Sequence, residues 1–341
     1  MDILEASGAF DPGSSPGRDV FLFVTIKPLE CTNCILYIAN NLNNQIVNVT
    51  AMAFDLYDLV NKYPPKQMMA VPLVITLIGL IIIGANLMIS GVPINLGIDF
   101  AGGTAVTVMS DDTPEQLEAY FAAYPLISIG EGLNRGNYLR FGPMSDEEFR
   151  SLSRDISARY PDAKIDQIGE SFGETLQQQA LIALLFSFIG MAIIVFIAFR
   201  TVIPSIAVVF AAFTDILITA AIMDLIGLPL SLGTTAALLM LIGYSVDSDI
   251  LLTTRILKRQ GKLEEKLKNA FRTGFIMTTT TLSAVLALLV VSWIGGIEII
   301  MQIAAVLLIG LLVDLMNTWM FNAGLLKWYV QSGKAAKGVK R

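Results

Sequence analysis

Residues Leu241–Arg255 read LIGYSVDSDILLTTR and place two acids, Asp247 and Asp249, inside a long apolar run. The run starts near Pro229, and no loop residue interrupts it before the two carboxylates. An aspartate near the centre of a lipid-embedded helix costs about 2.5–3.5 kcal/mol on insertion scales. The rest of the chain must therefore give these acids packing partners, or leave them shallow enough to reach water.

The composition predicts an α-helical integral membrane protein. Of 341 residues, 54% are hydrophobic and 15% are charged, whereas soluble domains carry about 25% charged residues. Several apolar runs reach the roughly 20 residues that cross a bilayer. The sequence has no histidine, so any proton transfer must use carboxylates. Without a histidine, a metal cluster, a nucleophile elbow or a nucleotide loop, we expect neither enzymatic activity nor a cofactor.

Six membrane spans follow from the apolar runs, and the segments between them complete the predicted organisation. Residues 1–51 are interpreted as an N-terminal extension outside the functional unit. Its Cys31 and Cys34 form a single CxxC pair, which cannot complete a four-ligand zinc site. An interfacial segment covers 52–67, a basic loop 253–273 and a basic tail 327–341. The predicted spans are 68–90, 180–199, 202–223, 230–252, 274–293 and 299–326.

The distribution of lysine and arginine predicts the orientation of these spans. The 253–273 loop and the 327–341 tail are rich in basic residues, and Arg200 lies in the tight turn between the second and third spans. The connections near Asp224 and at 295–298 have no lysine or arginine. The positive-inside rule therefore places both termini in the cytoplasm of a multi-pass cell-membrane protein.

The long loop at 91–179 is then extracytoplasmic, and its pattern predicts a small α+β domain. Capping residues at Thr113 and Ser145 open two helices. The order strand–helix–strand–strand–helix–strand is that of a ferredoxin-like, split βαβ domain. The predicted strands are 104–109, 126–130, 138–141 and 163–168, and the helices end near 123 and 160.

The fourth span raises the question of which acid faces the interior. Asp247 and Asp249 point about 200° apart on a helix. Small residues, which mark close helix packing in membranes, lie on the same face as Asp247. We therefore predict that Asp247 faces the bundle and Asp249 its flank, the alternative being that both snorkel to water. The residues on the Asp247 face are Gly233, Ala236, Ala237, Met240, Gly243 and Tyr244.

Three more residues are candidates for proton coupling. Arg272 begins the fifth span and is predicted to pair with Asp247, unless it is only another positive-inside charge. Asp215 and Asp314 lie well inside the third and sixth spans, where neither can snorkel, so each needs a polar partner. A functional role is predicted for Asp215. For Asp314, a structural contact through Asn317 or Thr318 is an equal alternative.

Two motifs resemble the SecD/SecF family, in a form similar to its archaeal SecF branch. Residues 97–104, with Gly97, Asp99, Phe100, Gly102, Gly103 and Thr104, resemble its GxDFxGGT signature. Gly243, Tyr244 and Ser245 resemble its IGYS signature. The resemblance implies an auxiliary subunit of Sec protein export that works with SecD, a SecY-type channel and preprotein substrates, and that uses the proton gradient. Where the bacterial form has Asn-Asp, this chain has Asp247-Ser248, which moves the acid by about 100° on a helix.

The signature at 97–104 is predicted to form a rigid joint between the outer domain and the helices. Its two glycines permit backbone conformations closed to other residues, and Asp99 can accept hydrogen bonds from nearby backbone N–H groups. Two other classes remain open. One is a subunit of a small-molecule or ion exporter of the resistance-nodulation-division type, although one loop encloses too little volume for its pocket. The other is a passive scaffold, which would tolerate Asn at Asp215 and Asp247.

Overall fold

The computed structural model describes Tyr57 and residues 62–131 and 136–332. The predictions for 1–51, for Cys31 and Cys34, and for most of the 52–67 segment and the basic tail lie outside the described residues. In chain order the elements are α1 (Pro65–Ser90), α2 (Ile98–Ala101), β1 (Gly103–Met109), α3 (Pro114–Tyr120), β2 (Leu126–Glu131), β3 (Gly136–Phe141), α4 (Asp146–Arg159), β4 (Lys164–Ile168), α5 (Glu170–Phe199), α6 (Val202–Leu225), α7 (Leu232–Lys258), α8 (Leu263–Gly295), α9 (Glu298–Met316), a π-helix (Asn317–Asn322) and α10 (Ala323–Gln331).

Within the described residues, six helices are long and apolar enough to cross a membrane, as predicted. They are α1, α5, α6, α7, α8 and the continuous run from α9 to α10. α6 is the most enclosed of the six, and most of its side chains between Ala207 and Ala221 are buried. Apolar side chains of α5, α6, α7 and α9 form one core in the bundle. This arrangement surrounds any polar group of α6 with protein instead of lipid.

The predicted basic loop at 253–273 is largely helical. α7 continues to Lys258, and α8 already begins at Leu263. Arg255 and Lys258 lie in the last turn of α7, while Glu264 and Glu265 lie in the first turn of α8. Each sign of charge is favourable at that helix end, so these residues stabilise the facing ends of α7 and α8.

The loop between the first two spans contains a four-stranded antiparallel sheet in the order β2-β3-β1-β4. Both predicted caps form boxes, Thr113 with Gln116 and Ser145 with Glu148. One side of the sheet packs on α3 and α4 around a core of large apolar side chains. They include Val106, Val108, Leu117, Phe121, Leu139, Phe141, Leu152 and Ile156.

Candidate functional site

Three acids from three different helices are buried inside the bundle. Asp215 of α6 and Asp249 of α7 have 0% of their surface exposed, and Asp314 of α9 has 1%. The sequence predicted inward positions for Asp215 and Asp314. None of the three forms an ion pair with any residue that the structure describes. Because isolated buried charges are strongly disfavoured, this cluster must be held by hydrogen bonds and bound protons.

The predicted orientation of α7 is wrong. Asp249 is the buried acid and Asp247 is exposed. The small residues Ala236 and Gly243 lie on the exposed face with Asp247, and a side-chain carbon added at Gly243 would meet no atom within 4 Å. Of the other small residues that were assigned to this face, Ala237 is buried and Gly233 packs against α9, so the described part of this chain leaves uncovered only the region around Ala236, Gly243 and Asp247. The opposite face, with Ser245 and Asp249, contacts the other helices.

The predicted pairing of Asp247 with Arg272 is absent. No ion pair within 4 Å joins these two residues, both of which the structure describes. Arg272 is exposed and lines a groove with Arg255 and Arg259 at the other end of the α7–α8 pair from the sheet. Among the described residues, Asp247 therefore lacks the ion-pair partner that the predicted switch required.

Asp215 receives hydrogen bonds at both of its carboxylate oxygens. Ser245 Oγ donates to Oδ2 at 2.6 Å, and Asn317 Nδ2 donates to Oδ1 at 2.6 Å. Asn317 Nδ2 also donates to Thr214 Oγ1 at 2.9 Å, and Thr214 in turn donates to the Ala211 carbonyl oxygen. Two good donors suit the ionised form of a carboxylate. The Ser245 contact gives the second signature motif a direct role in the cluster.

Asp249 and Asp314 share one hydroxyl group. Thr318 Oγ1 lies 2.9 Å from Asp249 Oδ1 and 3.1 Å from Asp314 Oδ1. A hydroxyl has a single hydrogen, so it can donate to only one of the two acids. The other contact is a hydrogen bond only if that acid is protonated and donates to Thr318. The geometry therefore fits a pair of acids that holds one proton.

Repulsion between the two carboxylates also favours a state in which the pair holds a proton. The two oxygens are no more than about 6 Å apart, and two unit charges at that distance repel by roughly 3 kcal/mol at an effective dielectric constant of 20. A proton removes this repulsion. Among the described residues, no group of three His, Cys, Asp or Glu side chains is arranged to hold a metal ion.

The π-helix at Asn317–Asn322 brings further polar groups to the cluster. Its wider turn begins three residues after Asp314, and π-helical turns are frequent at functional sites. Asn322 is 1% exposed and lies near Asp249, but neither polar atom of its amide nor Asp249 Oδ2 is in good hydrogen-bonding geometry with another group that the structure describes. Asn322 was not predicted from the sequence, although polar residues at 314, 317, 318 and 322 in an apolar span share one helical face.

The glycine-rich signature forms the predicted contact with the bundle. Asp99 Oδ2 accepts a hydrogen bond from Leu232 N, the first residue of α7, at 2.9 Å. The Gly97 amide donates to the Leu230 carbonyl at 2.7 Å, and the Leu230 amide donates to Asn95 at 2.8 Å. Phe100 and Thr104 are buried. The signature therefore holds the start of the helix that carries Ser245 and Asp249.

The two signature glycines occupy conformations with positive φ, +76° at Gly102 and +138° at Gly103. At Gly102, α2 passes so close to the start of α5 that an added Cβ would lie 2.8 Å from Glu170 Cα. On the sheet, Tyr138 donates to the Gly296 carbonyl and Arg140 pairs with Glu298. The outer domain therefore contacts the bundle at the α6–α7 connection and at the α8–α9 connection. Burial of the Arg140 side chain at the second contact lowers its pKa.

Comparisons with known proteins agree with both motifs. Residues 88–114 match the SecD/SecF GG motif, and residues 148–332 match the C-terminal family of protein-export membrane proteins SecD/SecF. The protein-export membrane protein SecF of Methanolacinia petrolearia is 58% identical over 277 residues, which cover 81% of this chain and 98% of that protein. The chain belongs to the SecF family. The SecF protein of Haloferax volcanii is 41% identical over 80% of this chain and 95% of its own length.

A solved structure extends the likeness of this SecF-family chain to the fold. The crystal structure of SecDF from Thermus thermophilus, described as a translocon-associated membrane protein, is 25% identical with a TM-score of 0.62. The match covers 78% of this chain and 38% of the SecDF chain. This chain therefore spans about two fifths of the length of that protein. Its six apolar helices and its relatives identify a multi-pass membrane protein.

Proposed function

We propose that this chain is an auxiliary subunit of the Sec protein-export machinery and that it uses the proton gradient to assist preprotein translocation. The observation that carries the proposal is membership of the SecF family over nearly the whole length of its relatives. We propose that both termini are cytoplasmic, because the positive-inside rule assigns to the cytoplasmic side the basic helix ends that lie opposite the sheet domain. The partners are a SecD-type protein, a SecY-type channel and the preprotein. The similar protein SecDF is described as translocon-associated, which supports association of this chain with a translocon.

The exposed face of α7 is proposed as the contact with the SecD-type partner. Ala236, Met240, Gly243 and Asp247 line this face. Two small residues allow another helix to approach closely, and an acid at the same face is tolerated against protein far better than against lipid. The test is cross-linking of Gly243→Cys to co-expressed SecD in membranes, with Met88→Cys, which is 90% exposed on α1, as the control. Equal cross-linking from both positions refutes this contact.

The outer domain is proposed to have the ferredoxin-like arrangement, supported by its strand order and by the antiparallel pairing of β1 with β3 and β4. In the proposed function, this domain contacts the emerging preprotein. Its signature contacts to α7 and its contacts to the α8–α9 connection couple a tilt of the domain to the helices. A shift of α7 then moves Asp249 relative to Thr318.

The gradient is proposed to act on the Asp249–Asp314 pair. Binding or release of a proton changes which acid donates to Thr318, and removal of the last proton introduces repulsion between the two acids. The available work is about 2.3 kcal/mol per charge per 100 mV. That energy is enough to bias a domain tilt between two arrangements, but not to unfold a substrate.

Export in membrane vesicles with and without a proton gradient tests this mechanism. Asp249→Asn keeps the shape of the side chain and can still donate to Thr318, so the variant is expected to fold, to associate with SecD and to lose the gradient-dependent part of export. Glu264→Gln, at the exposed start of α8 and outside the proposed SecD contact, is the control and is expected to retain it. If Asp249→Asn exports with a normal gradient response while deletion of the chain abolishes export, the chain is a passive scaffold.

A further inference from the structure

A basic groove lies between α7 and α8 at their end away from the sheet domain. Its volume is about 380 Å³. Arg255 and Arg259 come from the end of α7, whereas Asn269, Arg272 and Thr273 come from the start of α8. The mechanism proposed above uses none of these residues. The groove is therefore a separate feature of the chain.

The walls of the groove are fixed by contacts between the two helices. Lys266 Nζ donates to the carbonyl oxygens of Ile256 and Arg259, each at 2.8 Å, and so closes the end of α7 against α8. Thr273 donates to the Asn269 carbonyl at 3.0 Å. Glu265 lines only the adjoining smaller cavity of about 140 Å³. The larger groove has no acid among its lining residues.

The guanidinium groups at the groove have no anion of their own. Within the part of the chain that the structure describes, Arg255, Arg259 and Arg272 form neither an ion pair nor a hydrogen bond through their side chains. Three like charges around one groove repel each other, and an anion between them removes that repulsion. Arginine is well suited to phosphoryl groups because its planar fork binds two oxygens at once.

The depth of the groove indicates where such an anion comes from. α7 begins at Leu232, next to the outer domain, and extends for 27 residues, or roughly 40 Å at 1.5 Å per residue. The hydrocarbon core of a bilayer is only about 30 Å thick. The last turns of α7, with Arg255 and Arg259, therefore lie at the level of the lipid headgroups on the far side of the membrane.

We propose that this groove binds the phosphoryl group of an anionic lipid headgroup. Arg255, Arg259 and Arg272 hold its oxygens, and Asn269 donates at the groove edge. Soluble phosphate has the same chemistry, but it is not concentrated at this depth. The groove thus ties the α7–α8 pair to the composition of the membrane around it.

Native mass spectrometry of the full-length chain in non-ionic detergent tests the proposal. The chain is titrated with phosphatidylglycerol, with phosphatidylcholine and with inorganic phosphate. We expect retention of phosphatidylglycerol and at least about tenfold weaker retention by R255Q/R259Q. The matched control K66Q/K262Q removes two exposed charges outside the groove and is expected to behave like the wild type. R255K/R259K keeps both charges, but it loses the bidentate geometry and is expected to bind about threefold more weakly.

Each alternative result has a definite meaning. Equal retention of the two lipids by the wild type overturns the proposal, as does an equal loss of binding in both glutamine double variants. Tight binding of inorganic phosphate that excludes the lipid overturns the lipid source while keeping the phosphoryl chemistry. Because R255K/R259K preserves the charge of the helix ends, it separates loss of the site from loss of folding.

Discussion

Replacement of Gly102 by alanine is predicted to loosen the joint between the outer domain and the bundle. Gly102 has φ +76° and ψ 163° at the end of α2, a region of backbone space that is essentially restricted to glycine. The new Cβ would lie 2.8 Å from Glu170 Cα and 3.0 Å from Glu170 N. Both are backbone atoms at the start of α5, so no side-chain rotation can relieve the overlap.

Two separate penalties determine how much Gly102→Ala destabilises the joint. A non-glycine residue in such a backbone conformation costs about 1–3 kcal/mol. The optimal separation of carbon atoms is about 3.5–4.0 Å, so the first contact is about 0.7 Å too short, and overpacking of this kind costs about 1–3 kcal/mol. Together they predict a local destabilisation of about 2–6 kcal/mol.

Amide hydrogen exchange of the full chain in detergent micelles measures this effect. The amides of Phe100, Ala101 and Gly102 donate to carbonyls within the joint, and a loss of 2 kcal/mol accelerates their exchange about 30-fold. Gly130→Ala is the control, because the nearest atom to its new Cβ lies at 3.7 Å and its φ is not positive. If these amides exchange as slowly in Gly102→Ala as in the control, Gly102 does not constrain the joint.

Two further predictions concern the bundle and the outer domain. Gly310→Ala places a Cβ 2.5 Å from Leu241 Cδ2 and is expected to destabilise the bundle by about 1–3 kcal/mol in denaturant unfolding. Gly243→Ala, which has open space around it, is the control and is expected to leave the stability unchanged. Equal stabilities of the two variants would contradict the α7–α9 packing. The hydrogen bond from Tyr160 lowers the pKa of Asp112 below its ordinary value of 3.8, so it stabilises the folded domain above that pH, and the stabilisation is lost as the pH falls through the lowered folded pKa. Tyr160→Phe should therefore reduce the protection of outer-domain amides at neutral pH but not in strong acid, and a difference that persists in strong acid would exclude this linkage.

The sequence predicted best those features that depend on local patterns. Apolar runs long enough to span a bilayer give the six helices, and the capping residues Thr113 and Ser145 give the helix starts in the outer domain. The four strands and the helices α3 and α4 differ from the predicted ones by no more than three residues at either end, whereas α2 was not predicted and α5 begins at Glu170, ten residues before the predicted start of the second span. Asp99 accepts the predicted backbone hydrogen bond, although its donor, Leu232, lies far away in the sequence.

Features that depend on what surrounds a helix were not predictable in the same way. The small residues beside Asp247 mark a surface for close packing, but the sequence of one chain does not say whether its own helices or another chain cover that surface. Burial of Asp249 instead depends on donors such as Thr318, which α9 and its π-helix extension supply. Residues 253–258 and 263–273 were predicted as a loop but are helical. The prediction used their charges only to orient the spans in the membrane and did not consider that charges also stabilise helix ends.

In the proposed mechanism Asp249 and Asp314 share one proton through Thr318, and infrared spectroscopy of the reconstituted chain detects that proton. Neutral carboxyl groups absorb in a band distinct from that of carboxylates. We predict a neutral carboxyl band at pH 7 that disappears in Asp249→Asn and persists in Asp247→Asn. A wild-type spectrum without this band, or a band that Asp249→Asn leaves unchanged, would show that Asp249 and Asp314 do not share a proton.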